Sequence, residues 1–170
     1  MDERQIDKLL TEVARGNNAA FEVLYEKTKR GTFSFIYSYL KCYEDAEDVM
    51  QNVYLKIKLN IDKYTSGTNG RAWILQIAKN LALNELSKRK RVEYVDEVKT
   101  RAEEISCGSI TEIMQKELSE EEYRIVTLHI LWGYKHREIG EMMNCPTGTV
   151  TSKYKRSIKK LKQALKEAEQ

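Results

Sequence analysis

The sequence has few of the residues that interrupt helices. Proline occurs once, at Pro146, and the 170 residues include only 8 glycines. Because proline and glycine are the strongest helix breakers, a chain this poor in both can form long helices. No segment shows the strict alternation of apolar and polar residues that is typical of strands. We therefore predict an all-α fold.

Long hydrophobic runs and paired cysteines are also missing. No segment approaches the roughly 20 consecutive apolar residues that span a bilayer, and the N-terminal sequence MDERQIDKLL is charged where a secretory signal has an apolar core. Cys42, Cys107 and Cys145 lie far apart, with no CxxC pair, which excludes a disulfide framework and the usual spacing of zinc ligands. We predict a soluble, cytoplasmic protein with no cofactor, no metal and no membrane span of its own, in which the cysteines are small buried or half-buried side chains.

Histidine is scarce as well. The chain has only His129 and His136, and no nucleophile, glycine-rich phosphate loop or metal-ligand spacing accompanies them. An enzyme that used general acid–base or nucleophilic chemistry would need such a constellation of residues. We therefore predict that the protein is not an enzyme.

The chain as a whole has no large excess of positive or negative charge, but one segment does. The formal net charge is +3 with 32% charged residues, which is typical of globular proteins and excludes a uniformly basic arm. Positive charge is concentrated near the C-terminus, since no Asp or Glu occurs between Glu141 and Glu167. Any affinity for nucleic acid must therefore come from this local concentration.

Helical periodicity divides the chain into two parts. The first part ends in the basic sequence SKRKR, and from Val92 to Gly108 the sequence becomes mixed in charge and weakly periodic. Such a composition is typical of a linker. We predict two small helical lobes, at 1–91 and 111–170, joined by a flexible linker at 92–110.

The second lobe carries the pattern of a helix-turn-helix domain. Ser119 and Glu122 have the spacing of a capping box, which predicts a helix start there, and Gly133 predicts its end. The sequence KHREIGEMM then predicts a short helix, and Pro146 fits the first position of a final, longer helix. A short helix, a tight turn and a longer helix form a helix-turn-helix.

The final helix has one apolar face and one basic face. Val150, Tyr154, Ile158, Leu161 and Leu165 recur at helical spacing and are predicted to face inward, which leaves the lysines on the outside. A lysine-rich outer face is often only solvated, and that is the alternative interpretation here. The short preceding helix and the charge of a single sign favour insertion into the DNA major groove.

These residues also carry a resemblance to a known family. The sequence HREIGEMMNCPTGTVTSKYKRSIKKL resembles region four of the extracytoplasmic-function (ECF) group of bacterial sigma factors. The first lobe independently resembles region two, through AFEVLYEKT, DAEDVMQNVYLKIKLNIDKY and RAWILQIAKNLALNELSKRKR. The two matches occur in the family's order and cover most of the chain.

The resemblance implies an alternative sigma factor, which binds core RNA polymerase and directs promoter recognition, DNA melting and transcription initiation. Its implied partners are the clamp helices and flap of the large polymerase subunit, promoter DNA and an anti-sigma factor. The family's DAED-type helix docks on the clamp helices, which nominates Asp45, Glu47, Asp48, Gln51 and Tyr54 as polymerase contacts.

The resemblance also divides the DNA contacts between the lobes. Region two faces the melted minus-ten element, which nominates Trp73, Lys79, Asn80, Asn84, Lys88 and Arg89. Trp73 also lies on the apolar stripe of Ile77 and Leu81, which favours a core position for its ring over base stacking. Region four reads the minus-thirty-five duplex, which nominates Arg137, Thr147, Thr149, Thr151, Ser152, Lys155, Arg156 and Lys159.

Some positions depart from the family pattern. Asn84 stands where Asp is frequent, Ser87 where Arg is frequent, and Lys58 where an aromatic residue is common. A stand-alone helix-turn-helix regulator that does not bind core polymerase is the alternative function. The first lobe favours the sigma factor, because such a regulator needs neither an acidic docking helix nor a basic helix that faces a single strand.

Overall fold

The computed structural model describes residues 3–93 and 110–168. Within them every regular element is helical, and the chain forms two compact units, Met1–Arg101 and Ala102–Gln170. The predicted all-α fold with two helical lobes is confirmed. Most of the predicted linker, with Cys107, lies outside the described residues. Its first two residues, Val92 and Glu93, belong to the last helix of the first unit.

The first unit contains α1 (Glu3–Ala14), α2 (Asn18–Leu40), α3 (Tyr43–Leu59), a short 3₁₀ turn (Ile61–Lys63) and α4 (Gly70–Glu93). Asparagine side chains cap two of these helices. The Asn17 side chain accepts a hydrogen bond from the Ala20 N–H at 3.2 Å, and Asn69 accepts one from Ala72 at 2.9 Å. Such bonds satisfy backbone donors that have no partner inside the helix.

The boundary between α2 and α3 is a tight turn. Lys41 ends α2 in the left-handed conformation, with φ 54°, and its N–H donates to the Tyr37 carbonyl. Glu44 and Asp45 then occupy the first turn of α3, where carboxylates interact favourably with the positive end of the helix dipole. The half-buried Cys42 lies at this turn.

The core of the first unit differs from the predicted stripe along α4. Ile74, Leu75, Ala78 and Ala82 are buried, whereas Trp73, Ile77 and Leu81 are only half-buried. Ile74 and Ala78 are thus buried as predicted, but the buried face continues to Leu75 and Ala82 instead of Trp73, Ile77 and Leu81. The reason is that α4 packs against α1, α2 and α3 together, so three neighbouring helices determine which of its side chains are buried.

The second unit contains α5 (Ile110–Glu117), α6 (Glu120–Val126), a π turn (Thr127–Leu131), α7 (His136–Met143) and α8 (Thr147–Ala168). The predicted capping box is confirmed, because Ser119 and Glu122 exchange side-chain bonds to backbone N–H groups at 3.3 and 3.1 Å. Gly133 follows the π turn with φ 71°. The π turn itself was not predicted.

Helices α7 and α8 are joined by a turn in which two backbone segments nearly touch. Asn144 is left-handed with φ 53°, and the Cys145 N–H donates to the Gly140 carbonyl at 2.9 Å. A Cβ atom on Gly140 would lie 2.7 Å from the Cys145 carbonyl oxygen. Pro146 precedes the first α8 residue and does not occupy it, because its carbonyl accepts the first bond of α8, from the Val150 N–H.

The buried face of α8 also differs from the prediction. Val150, Ser157 and Leu161 are buried, whereas Tyr154, Ile158 and Leu165 are only half-buried. The Ser157 hydroxyl donates to the Lys153 carbonyl at 2.8 Å, so its burial leaves no unpaired donor. The core against which this face packs is built by Trp132, Tyr123, Ile125, Leu128 and Ile139.

The close approach at Gly140 gives a testable prediction. We expect Gly140→Ala to lower the free energy of unfolding by about 1–3 kcal/mol, because the added methyl group forces the two backbone segments apart. Gly148→Ala is the matched control, since a Cβ there meets no atom within 4 Å. Urea unfolding followed by circular dichroism measures both variants. Equal stabilities would contradict the tight approach.

Candidate functional site

One exposed row of side chains runs along α3. Asp48, Gln51, Leu55 and Leu59 are all exposed and follow one another at helical spacing on one face. The two leucines are 56% and 69% exposed, so this row combines a carboxylate and an amide with two large apolar side chains. Neither leucine was predicted as a partner contact. The sequence did contain a signal, because both lie off the apolar stripe of Val49, Val53 and Ile57.

Two of the predicted polymerase contacts lie elsewhere. Tyr54 is buried, and its hydroxyl is hydrogen-bonded to Thr28 at 2.7 Å and Thr32 at 3.1 Å. Burial raises the pKa of Tyr54 to about 12 and outweighs these two bonds. Tyr54 therefore joins α2 to α3 inside the unit. Glu47 is half-buried beside the exposed row.

Asp45, a predicted polymerase contact, is paired with Arg89, a predicted DNA contact. The two side chains form an ion pair, and the Arg89 guanidinium also donates to the Leu40 carbonyl at 3.2 Å. Leu40 ends α2 and Asp45 lies in the first turn of α3. Arg89 thus fastens the C-terminal part of α4 to the turn between α2 and α3.

The other predicted minus-ten residues fall into two groups. Asn80, Asn84 and Lys88 are exposed and follow one another four residues apart, on the side of α4 that also holds Trp73. Trp73 is half-buried, with its ring centroid 5.2 Å from that of Tyr64. Lys79 is half-buried on another side of α4, so the structure does not bring it together with this row.

In the second unit, the cations of α8 divide into two sets. Lys153 pairs with Glu121, Arg156 Nε lies 3.4 Å from Glu122, and Lys160 Nζ donates to Glu122 at 2.8 Å. These cations therefore turn towards α6. The predicted single basic face is corrected here, because α6 supplies the acids that this part of α8 lacks.

The second set faces solvent. Ser152, Lys155, Lys159 and Lys162 are exposed at helical spacing, and the N-terminal turn of α8 exposes Thr147. Thr149 is half-buried, and its carbonyl accepts a bond from the Ser152 hydroxyl at 3.0 Å. On α7, Arg137 is 83% exposed and contacts Glu141 at 3.2 Å. These residues form a cationic, hydroxyl-bearing surface.

Thr151 differs from the other predicted contacts. It is half-buried, and its hydroxyl donates to the Thr147 carbonyl at 2.9 Å. The same oxygen lies 3.1 Å from His136 Nδ1. Thr151 therefore joins the first turns of α8 to α7.

Glu122 organises the inner set of cations. It is 5% exposed, and burial acts to raise its pKa, but the hydrogen bonds from Lys160 and the Ser119 N–H outweigh burial and hold its pKa below the ordinary value. The carboxylate thus stays charged at neutral pH. A buried charge of this kind is stable only while its partners are in place.

This pairing predicts an acid-sensitive contribution to stability. We expect Glu122→Gln to lower the free energy of unfolding by about 1–3 kcal/mol at neutral pH, because Lys160 and Arg156 lose their counter-charge. The pKa of Glu122 is lower in the folded chain than the ordinary 4.5, so its stabilisation is present above that pH and is lost as pH falls below it. Urea unfolding of wild type and variant should therefore converge in acid. Glu120→Gln, at the exposed neighbour, serves as control, and a difference that persists in acid would contradict the role of the charge.

Metal-binding clusters and membrane-spanning helices are both absent from the described residues. Across 3–93 and 110–168, no group of three or more His, Cys, Asp and Glu side chains has an arrangement that could hold a metal ion. Within the same residues, no helix is long and apolar enough to cross a membrane.

Comparisons with known proteins agree for both units. The protein-family model for Sigma-70 region 2 matches residues 24–92, and the family model for Sigma-70 region 4 matches residues 114–161. The sequence is 30% identical over 175 residues to the ECF RNA polymerase sigma-E factor of Escherichia coli (strain K12), covering 90% of this chain and 91% of that protein. It is 25% identical over 185 residues to the ECF RNA polymerase sigma factor SigW of Bacillus subtilis (strain 168), covering 97% and 99%.

Two solved structures share the fold. The sigma factor RpoE of Bartonella quintana, solved with the anti-sigma factor NepR, superposes with a TM-score of 0.62 at 21% identity, covering 86% of this chain and 96% of that one. CnrH, solved with the cytosolic domain of CnrY, superposes with a TM-score of 0.58 at 19% identity, covering 98% and 99%.

Proposed function

The chain belongs to the ECF RNA polymerase sigma factors, and from this premise we propose that it binds core RNA polymerase and directs promoter recognition, DNA melting and transcription initiation. The resemblance of the sequence motifs to this family is confirmed. One observation carries the proposal: region two and region four match, in order, two separately folded helical units. A stand-alone regulator is not favoured, because it has no use for the first unit.

We assign polymerase binding to the exposed row of α3. Asp48 and Gln51 offer a charge and an amide, and Leu55 and Leu59 continue the row as apolar contacts. A partner surface with basic groups beside apolar ones complements this row, and the clamp helices of the large subunit are the proposed partner. An acid-capped surface helix without a partner would not need two exposed leucines on the same face.

We assign minus-ten recognition to α4. Asn80, Asn84 and Lys88 combine amide groups, which hydrogen-bond to base edges, with a cation that attracts phosphates. Trp73 contributes a half-buried ring that borders this row. Arg89 and Asp45 form an ion pair with each other, so we assign them a supporting role beneath this surface and not a DNA contact.

We assign minus-thirty-five recognition to the N-terminal half of α8. Ser152, Lys155 and Lys159 face solvent, and the helix N-terminus with Thr147 suits a phosphate. Arg156 is 61% exposed despite its contact with Glu122, so its remaining guanidinium nitrogens are still available to DNA. We also assign a phosphate contact to Arg137 of α7, because the first helix of a helix-turn-helix crosses the DNA backbone.

Three further assignments rest on the family. The solved structures of RpoE and CnrH contain a bound anti-sigma factor and the cytosolic domain of CnrY, and we propose that an anti-sigma protein also regulates this chain. We place the protein in the cytoplasm, where core polymerase acts, with the polymerase flap as the partner of the second unit. The family consists of transcription initiation factors.

The overall function is tested by reconstitution. Core RNA polymerase, this protein and a genomic promoter library should give transcripts whose start sites appear only when the protein is added. If the protein bound core polymerase but no new start site appeared, the proposed role in promoter recognition and initiation would be wrong, and only polymerase binding would remain.

The polymerase-docking row gives a sharper prediction. Asp48→Lys combined with Gln51→Ala should weaken binding to core polymerase by about tenfold or more, because the row loses its charge and amide while α3 keeps its buried face. Asp62→Lys makes the same charge change at an exposed position in the 3₁₀ turn and serves as control. Competition with a labelled sigma factor measures the affinities. Equal loss in both variants would show that only net charge matters.

The division of the α8 lysines predicts different salt dependences. Lys159→Ala should weaken binding to every duplex and lower the slope of log affinity against log salt by about one, because one phosphate contact is lost. Lys160→Gln is the control, since this neighbour is held by Glu122 and a glutamine amide can still donate to that buried carboxylate. Fluorescence anisotropy over a salt series gives both slopes. An equal change in slope would contradict the two orientations.

A further inference from the structure

The two histidines of the chain are in contact in the second unit. The ring centroid of His129, in the π turn, lies 4.6 Å from that of His136, the first residue of α7. Both rings pack against Tyr154 of α8, at 4.6 and 4.9 Å. Since the chain contains only these two histidines, both of its imidazole rings lie in this three-ring cluster.

The hydrogen bonds fix the proton on His136. The Thr151 hydroxyl donates its single proton to the Thr147 carbonyl at 2.9 Å, so towards His136 it can only accept. His136 Nδ1, 3.1 Å from that oxygen, must therefore carry a hydrogen and donate it. In the same way His129 Nδ1 donates to the Tyr134 carbonyl at 2.7 Å, because a carbonyl only accepts.

The other ring nitrogen of His136, Nε2, has no acceptor to which a proton on it could be donated. In the neutral ring with hydrogen on Nδ1, Nε2 carries a lone pair. Nε2 is buried and has no hydrogen-bond partner among the described residues. Protonation would create a buried N–H donor without an acceptor, which is unfavourable.

The surrounding charges also oppose protonation. His129 faces the ring from the π turn, and Tyr154 and Lys155 face it from α8. On its own segment the neighbours are Lys135, Arg137 and Glu138, whose carboxylate is occupied by the Lys135 N–H at 2.7 Å. Burial, then His129 and Lys155, lower the pKa of His136 below the ordinary 6.5.

We propose that neutral His136 is a positioning residue for promoter recognition: it holds Thr151 and, through the three-ring cluster, sets the recognition helix α8 against α7. The proposal rests on the proposed binding of duplex DNA by α8. Lys155, one turn after Thr151, lies on the exposed row, so a shift of this part of α8 displaces a DNA contact directly. Protonation of His136 disrupts the cluster and should weaken DNA binding.

The sign of this pH dependence is diagnostic. A histidine that contacted phosphate would bind DNA more tightly in acid, because it gains positive charge. His136 should do the opposite. Its pKa is lower in the intact cluster than in an opened one, so acid favours the opened form, and affinity is greatest above about pH 6.5 and falls below it.

The experiment measures the affinity of the full chain for a duplex that the wild-type protein selects from a randomised pool, at constant salt. Wild-type affinity should fall by about three- to tenfold between about pH 7.5 and about pH 5.5. His136→Asn, whose amide can still donate to Thr151, should retain most of the affinity at high pH with a flat profile. His136→Phe should also give a flat profile, with lower affinity at every pH.

His129→Phe is the matched control, because an aromatic ring still packs against His136 and Tyr154, and it should retain most of the wild-type fall in affinity. Thermal unfolding at each pH checks that every variant is folded. Affinity that rises in acid and loses this rise in His136→Asn would overturn the proposal, as would pH profiles that are identical in wild type and both His136 variants. No duplex binding by the wild type at any pH would instead contradict the proposed function of α8.

Discussion

The buried carboxylate of Glu122 is the constraint on which the second unit depends. It caps α6 through the Ser119 N–H and also receives Lys160 and Arg156 from α8. The buried side chains of Val150 and Leu161 fix the inner face of α8, and Glu122 binds the cations that border this face. It thereby limits which lysines remain for phosphates.

The first unit solves a similar problem with Arg89. Its guanidinium binds Asp45 and the end of α2, so one cation holds three helices in register. Tyr54 adds a second internal tie, through Thr28 and Thr32. Arg89, Asp45 and Tyr54 make internal contacts and are therefore not on the surface rows. The proposed binding rows of α3 and α4 consist of the side chains that remain exposed. In both units, polar groups close to the binding surface support it without belonging to it.

Local sequence signals predicted most of the fold. The Ser119 capping box and the stop at Gly133 depend on residues only a few positions apart, and each was found where predicted. The exact buried faces of α4 and α8 were not predictable in this way. They depend on which neighbouring helices approach, and periodicity fixes a face only to within about one residue, or 100°.

The site was predicted less completely for the same reason. The partner of Lys160 is 38 residues away in sequence, and the partner of Tyr54 is 26 away, so no local pattern shows that these side chains are engaged. Leu55 and Leu59 could have been found from the sequence, because they lie off the apolar stripe. The contact between His129 and His136 could not be predicted from the sequence, because it depends on the path of the backbone through the π turn and the residues that follow it.

That turn has a consequence for insertions and deletions. The π turn, in which the Trp132 N–H donates to the Thr127 carbonyl, accommodates one residue more than a regular α-helical turn. Deleting one residue within this turn would convert it to α-helical geometry, because the π turn takes up its extra residue within a single turn of helix. The side chains that follow would then keep nearly the same direction, whereas a deletion in a regular part of α8 would rotate every later side chain by about 100° about the helix axis. The second unit should therefore tolerate a change of chain length at this turn better than within its regular helices.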